Sequence, residues 1–221
     1  ANDIDALYSN VEKYHPSAIM FEVVQGEGGV VPLSKEFVEA LVNVAKEKDI
    51  LLVVDEVQTG NGRTGELYGY MNYGFTPDIV STAKGLAGGL PIGATMLFEK
   101  VKDIFTASSH GSTFGGNPVS CAGAVNVISR IDDELLEGVK IRNKIIFETL
   151  KDAKGIKNIS GMGLMLGIET EKSAGDIVKE CINRGVLVLT AKTKIRLLPA
   201  LNIPIDELKE ALEIIKEVCA F

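Results

Sequence analysis

The sequence predicts an α/β protein: a mostly parallel sheet with helices, followed by a smaller α+β region. Three observations lead there. Short β-rich runs alternate with longer segments of helical periodicity. One run, ILLVV at 50–54, is continuously apolar, the pattern of a strand buried on both faces of a parallel sheet. The runs ending at Val24, Val54 and Ser81 each lead into a polar, glycine-rich loop: QGEGG, DEVQTGNGRTG and TAKGLAGG. Ligands of open parallel sheets collect at such carboxyl ends.

The elements follow in order. An amphipathic opening segment precedes a strand at 18–24 (AIMFEVV). It carries no initiator Met and reads as a chain entered mid-domain, through processing or because it is a fragment. Ser34 is placed to cap a helix through residue 48, with Phe37, Leu41, Val44 and Ala45 on one face. Strands are expected at 50–54, 79–81 and 93–98. From about Pro118 the pattern changes, with helices at 118–129 and 134–153 and a strand at 161–169 (GMGLMLGIE). Ser173 caps a helix through 184 that Gly185 ends, strands follow at 186–189 and 195–198, and an amphipathic helix occupies 206–219.

Composition narrows the function classes. Of 221 residues, 46% are hydrophobic and 24% charged, as in ordinary globular proteins. A net charge of −7 argues against nucleic acid, which demands a basic face. No apolar run approaches a membrane span. Three separated cysteines, Cys121, Cys181 and Cys219, suit reduced thiols in the cytoplasm, and two histidines exclude a histidine-rich metal centre, so no metal is expected.

Chemistry concentrates at the strand ends. Asp55 and Glu56 follow an apolar strand, where a carboxylate is costly unless paired or hydrogen-bonded. Lys84 ends the next strand-like run, with no charged neighbour for five residues on either side. The two could form a buried ion pair. They could equally be two ends of a cofactor site: low polarity makes a lysine a carbonyl nucleophile, and pyridoxal phosphate (PLP) needs such a lysine plus an acid for its pyridine nitrogen. Further on, HGSTFGGNP sets small hydroxyls and glycines before a helix start, a place for phosphate or an ordinary capped turn.

Taken together, FEVVQGEGGVVP, VVDEVQTGNGRTG, TAKGLAGGLPIGA, HGSTFGGNP and IRLLPALNI resemble the motifs of the class III, fold type I, PLP-dependent aminotransferases, in their order and approximate spacing. The resemblance runs over essentially the whole chain but matches only the C-terminal half of such an enzyme. It implies that residues 1–130 are the C-terminal part of the large PLP-binding domain and 131–221 a small α+β domain. GGLPIGA and HGSTFGGNP lean toward the acetylornithine branch. The implied reaction is transamination between N-acetylornithine and 2-oxoglutarate in arginine biosynthesis, in the cytoplasm, by a homodimer with shared active sites.

The resemblance also implies roles. Lys84 corresponds to the Schiff-base lysine that then carries a proton between substrate Cα and cofactor C4′. Asp55 corresponds to the acid on the pyridinium nitrogen, Val57 to the residue on the ring face, and Gln58 to the partner of the phenolic oxygen. Thr113 matches the residue that reaches the PLP phosphate of the neighbouring subunit, with Ser112 beside it near the substrate. Arg196 resembles the arginine for the substrate α-carboxylate, and Glu27 the acid that pairs with it and swings aside for 2-oxoglutarate. Val23 stands where the family often has proline. His110 reads as structural, and Arg63 as a subunit contact or turn residue. The family's phosphate cup, stacking aromatic and distal-group arginine have no counterpart here, so the 221 residues alone are expected to be inactive or nearly so. Ornithine, succinylornithine or 4-aminobutyrate as donor, and a non-catalytic dimerisation scaffold, are the competing readings.

Overall fold

A computed structural model describes residues 1–220. In chain order its first elements are α1 (Ile4–Tyr14), β1 (Ala18–Phe21), β2 (Val24–Gln25), β3 (Val31–Pro32), α2 (Lys35–Glu47), β4 (Leu51–Asp55), β5 (Ile79–Thr82) and β6 (Ala94–Leu97). There follow α3 (Pro118–Ile128), α4 (Asp133–Leu150), β7 (Ile156–Met162), β8 (Met165–Thr170), α5 (Ala174–Asn183), β9 (Leu189–Ala191), β10 (Lys194–Leu197) and α6 (Ile205–Ala220). The Cα atoms group into two compact units. Unit 1 holds 1–23, 33–61 and 66–131; unit 2 holds 24–32, 62–65 and everything from Asp132 onward.

Unit 1 carries a four-stranded sheet in the order β1-β4-β5-β6. The β1–β4 and β4–β5 pairs are parallel, while β6 returns antiparallel on β5. Helix α2 starts where Ser34 Oγ accepts from Phe37 N (3.1 Å) and buries Leu41, Val44 and Ala45 in a cluster with Val11, Ile50 and Leu52. A second cluster joins Val23, Val54 and Val80 to Tyr68 and Tyr70. The α/β class and mostly parallel sheet follow the sequence pattern.

Unit 2 is built on an antiparallel sheet, β7-β8-β10-β9. Its core includes Ile146 and Leu150 of α4, Leu166 and Ile168 of β8, Ile177 of α5, Ile195 of β10, and Leu212 and Ile215 of α6. Ser173 caps α5, and Gly185 follows it with φ 87°.

Four local expectations change. The strand expected at 161–169 is a hairpin, β7–β8, because Gly161 and Gly163 adopt positive φ (134° and 55°) and turn the chain. The helix expected to 153 therefore stops earlier, leaving residues from Ile156 for β7. The strand expected at 18–24 breaks after Phe21: Val23 O accepts from Leu33 N (2.9 Å), and Val24–Gln25 pair with Val31–Pro32 instead. Residues 186–188 stay outside the sheet because Val186 N bonds back to Cys181 O (2.9 Å), so pairing begins at Leu189.

One buried carboxylate organises the stretch after β4. Glu56 has no exposed surface, and it accepts from Thr59 Oγ1 (2.6 Å), Gly69 N (2.8 Å) and Tyr70 N (2.8 Å). Burial pushes its pKa above the ordinary value, with those three donors pulling the other way.

Two outcomes follow for stability. Gly161→Ala would set a Cβ 2.1 Å from Met165 O, whereas Gly185→Ala meets nothing within 4 Å. Urea unfolding should show Gly185→Ala losing about 1–2 kcal/mol, the cost of a left-handed L-residue, and Gly161→Ala losing clearly more. Equal losses would contradict the hairpin geometry. Glu56→Gln turns an amide nitrogen toward a backbone N–H and should cost about 1–3 kcal/mol. Because the folded-state pKa is raised, the native state holds the Glu56 proton to higher pH than the unfolded chain. Its contribution is therefore full below the ordinary value of 4.5 and falls as pH rises through the raised one. The Glu56→Gln penalty should shrink over that rise; a penalty that grew with pH would contradict it.

Candidate active site

The parallel register of β4 and β5 fixes the first part of the site in unit 1. Val53 lies opposite Ile79, Val54 opposite Val80 and Asp55 opposite Ser81. Both strands run out at the same carboxyl edge, with Asp55 closing one and Lys84 two residues past the other. Asp55 is half-buried, and its Oδ1 accepts from Val57 N (2.9 Å) and Ser81 Oγ (3.4 Å). The first bond is a local turn made by the side chain; the second braces the carboxylate against the next strand. Val57 and Gln58 are half-buried. The neighbouring acid, Glu56, points into the core, so the two adjacent carboxylates have separate tasks.

Lys84 opens a short 3-10 turn, Lys84–Ala87, that Gly88 ends in the left-handed region. Its own φ is 48°. Such a conformation costs an L-residue about 1–3 kcal/mol and persists only where the surroundings hold it. Leu86 and Ala87 anchor the turn by packing on Ala124 and Ile92. The Lys84 side chain is exposed and makes no ion pair among the described residues. One open alternative drops out and one expectation is corrected. Lys84 and Asp55 are not a buried ion pair, and these residues alone do not give Lys84 low-polarity surroundings, since the glycines around it supply no covering side chains.

Ser112 and Thr113 lie in the exposed loop before α3. Ser112 Oγ accepts from Gly115 N (3.0 Å), tightening the loop. At the helix start Asn117 Oδ1 accepts from Val119 N (3.0 Å) and Ser120 N (3.2 Å), the capped turn that was one of the two readings of HGSTFGGNP, with Asn117 as the capping residue. The Thr113 hydroxyl stays exposed. The His110 ring lies tilted against Phe105, ring centroids 5.6 Å apart and the planes at 33°.

In unit 2 the structure brings Glu27 and Arg196 together. Arg196 sits on β10 with its side chain 11% exposed, and its Nη1 donates to Glu27 Oε1 at 2.6 Å. Its Nε is buried with no hydrogen-bond partner among the described residues. The guanidinium fork thus keeps a donor in reserve beside an acid that is 76% exposed. Glu27 rides on the β2–β3 turn, where Val30 is buried with φ 53°, an outlier for a β-branched residue. Ser160 Oγ donates to Val30 O (2.7 Å) and accepts from Lys194 Nζ (2.7 Å), pinning that turn.

Arg63 serves the same unit. Its Nη1 donates to Leu164 O (3.0 Å) and Pro199 O (2.6 Å), and burial pushes its pKa down. It is an internal tie, a role its local sequence did not disclose. Asn61 also escaped the sequence reading. It is buried and bonds to Thr82 Oγ1 (3.3 Å) and Ala83 O (3.2 Å), immediately before Lys84. Its Asn-Gly context reads as a turn and hides those bonds.

Among the described residues no group of three His, Cys, Asp or Glu could hold a metal ion, and no helix is long and apolar enough to cross a membrane. The model of the class-III aminotransferase family matches residues 1–219. The acetylornithine aminotransferase of Haemophilus ducreyi is 44% identical over 220 residues, 99% of this chain and 56% of that protein. That of Aquifex aeolicus is 42% identical over 98% of this chain and 57% of its own length. Among solved structures, N-acetylornithine aminotransferase from Stenotrophomonas maltophilia superposes with TM-score 0.87 at 32% identity, covering 99% of this chain and 60% of that one. Plasmodium falciparum ornithine delta-aminotransferase gives 0.89 at 33% identity, covering 99% and 59%. The chain spans little more than half the length of these relatives. The cofactor of the family is pyridoxal 5′-phosphate. By its motifs, its fold and these likenesses, this chain belongs to the class-III aminotransferases.

Proposed function

We propose that this chain is the C-terminal part of an aminotransferase that exchanges an amino group between N-acetylornithine and 2-oxoglutarate. The observation that carries the reading is the pairing of β4 with β5, which sets a braced carboxylate and an exposed lysine at one edge. The residues present fit PLP at both ends of its ring. Asp55 has one oxygen fixed by Val57 N and Ser81 Oγ, and Lys84 offers an amine on a held turn. When bound, the cofactor supplies the electron sink that makes a substrate Cα–H acidic.

The chain's residues supply the rest. Asp55 would hold the proton of a bound pyridine nitrogen, Val57 would pack on the ring and Gln58 would hydrogen-bond its phenolic oxygen. Lys84 furnishes the carbonyl-reactive amine and then moves the proton at substrate Cα. Arg196 binds the α-carboxylate in a planar, two-point grip that a lysine cannot reproduce. Glu27 holds Arg196 at 2.6 Å until a dicarboxylate competes for it.

Thr113 would reach the cofactor phosphate of a second subunit, with Ser112 near the substrate. The exposed apolar side chains Ile104, Phe105, Phe114, Val119 and Val125 in this part of unit 1 support a covering partner, which we take to be the homodimer. Residues 1–130 then complete the large cofactor-binding domain and 131–221 form the small one, with the segments 24–32 and 62–65 grouping with the latter. Three free cysteines suit the cytoplasm. Ornithine remains the second donor to compare, given the likeness to ornithine aminotransferases.

Initial rates on the full-length protein with acetylornithine, ornithine and 4-aminobutyrate, each with 2-oxoglutarate, test this. Acetylornithine should turn over fastest, and the 221-residue chain alone should give little or no turnover. Lys84→Ala should abolish it, and Arg196→Lys should raise KM for both carboxylate substrates about tenfold or more. Full-length protein inert toward every donor would favour the scaffold reading. Undiminished turnover in Lys84→Ala would overturn the assignment of the lysine.

A further inference from the structure

The Asn61 side chain grips the backbone immediately before Lys84. We infer that Asn61 is a positioning residue, whose side-chain amide fixes the Ala83 carbonyl and Thr82 hydroxyl and, through them, the left-handed turn that carries Lys84. The inference rests on the reading of Lys84 as the reactive amine.

The geometry is specific. Asn61 is 8% exposed, and its Nδ2 lies 3.3 Å from Thr82 Oγ1 and 3.2 Å from Ala83 O. A carbonyl only accepts, so the amide's NH2 and not its oxygen must face Ala83. Ala83 O also accepts from Leu86 N (3.1 Å), the bond that closes the turn beginning at Lys84. One carbonyl oxygen therefore takes a donor from each side of the lysine, one from Asn61 behind it and one from Leu86 ahead. Lys84 itself stands at φ 48°, outside the relaxed regions of an L-residue, and stays there only while its flanks are over-determined. Leu86 and Ala87 hold the far flank by burial; Asn61 holds the near one.

A simpler reason for asparagine exists. Asn61 has φ 55° and precedes Gly62 at φ 86°, and asparagine tolerates that region. Glycine would serve the backbone at least as well, however, and would spare the fold a buried Asn61 Oδ1 that has no partner among the described residues. The backbone explanation leaves that orphaned acceptor without a reason. The two Nδ2 bonds supply one, since the donor cannot be had without the oxygen beside it.

Asn61→Gly separates the explanations, because it keeps the backbone conformation and deletes the amide. Asn61→Asp keeps the shape and turns an acceptor toward Ala83 O. Hydrogen–deuterium exchange on the full-length protein should show residues 83–88 exchanging about tenfold faster in Asn61→Gly, and at least as fast in Asn61→Asp, with the β7–β8 hairpin unchanged. In the PLP-loaded protein kcat should fall while KM for the amino donor holds, and the pH midpoint of the cofactor's absorption change should move. Unchanged exchange at 83–88 in Asn61→Gly would overturn the inference. Faster exchange spread over the whole chain in both variants would overturn it too, by making Asn61 a general stabiliser. A full-length protein without transaminase activity would sink the functional reading, and the exchange data would still decide the role of Asn61.

Discussion

The parallel pairing of β4 with β5 is the constraint on which the rest of unit 1 depends. Parallel strands end at the same edge, so a register that sets Asp55 against Ser81 also decides where the chain past Thr82 emerges. Ser81 does double duty: its O accepts from Glu56 N (2.8 Å), and its hydroxyl braces the Asp55 carboxylate. A slip of one residue would send Asp55 to the opposite face and bring Ser81 off its partner. Asp78 guards against that slip at the other end, where Leu52 N donates to its Oδ2 at 2.9 Å and its own N donates to Leu52 O at 3.0 Å.

The loops at that edge are irregular, and irregular backbone must find its hydrogen bonds somewhere. Here buried polar side chains supply them. Glu56 satisfies the amides of Gly69 and Tyr70, and Asn61 satisfies the carbonyl of Ala83. In unit 2 Arg63 does the same for the carbonyls of Leu164 and Pro199. None of the three is an obvious chemical residue. Asn61 and Arg63 hold backbone beside candidate site residues, since Lys84 follows Ala83 and Arg196 lies on the strand that leads to Pro199, whereas Glu56 is itself the neighbour of Asp55.

What the sequence disclosed follows from what a sequence encodes locally. Apolar runs and helical periodicity revealed the strands around Asp55 and Lys84, but ILLVV overstated the burial of β4: Leu52 and Val54 are buried on one face, while Leu51 and Val53 on the other are half-buried. Ser34 and Ser173 announced their helices through capping chemistry. The β7–β8 hairpin was hidden, since its two strands and turn form one glycine-studded apolar run and only the positive φ of Gly161 and Gly163 divides it. Partnerships over long sequence distances were hidden as well. Nothing around Arg63 names Pro199 as its acceptor, and nothing in the Asn-Gly turn names Ala83. The exposure of Lys84 was unreadable for the same reason: covering groups, where they exist, come from elsewhere than its neighbours in sequence.

The proposed role of Lys84, and of no other lysine, as the carbonyl-reactive amine depends on the strand edge shared by β4 and β5. The most direct measurement is borohydride reduction of the full-length protein with PLP, followed by peptide mapping. A single reduced adduct is expected, on the peptide containing Lys84, and it should be lost in Lys84→Ala. An adduct scattered over the exposed lysines, or centred on a different one, would contradict it.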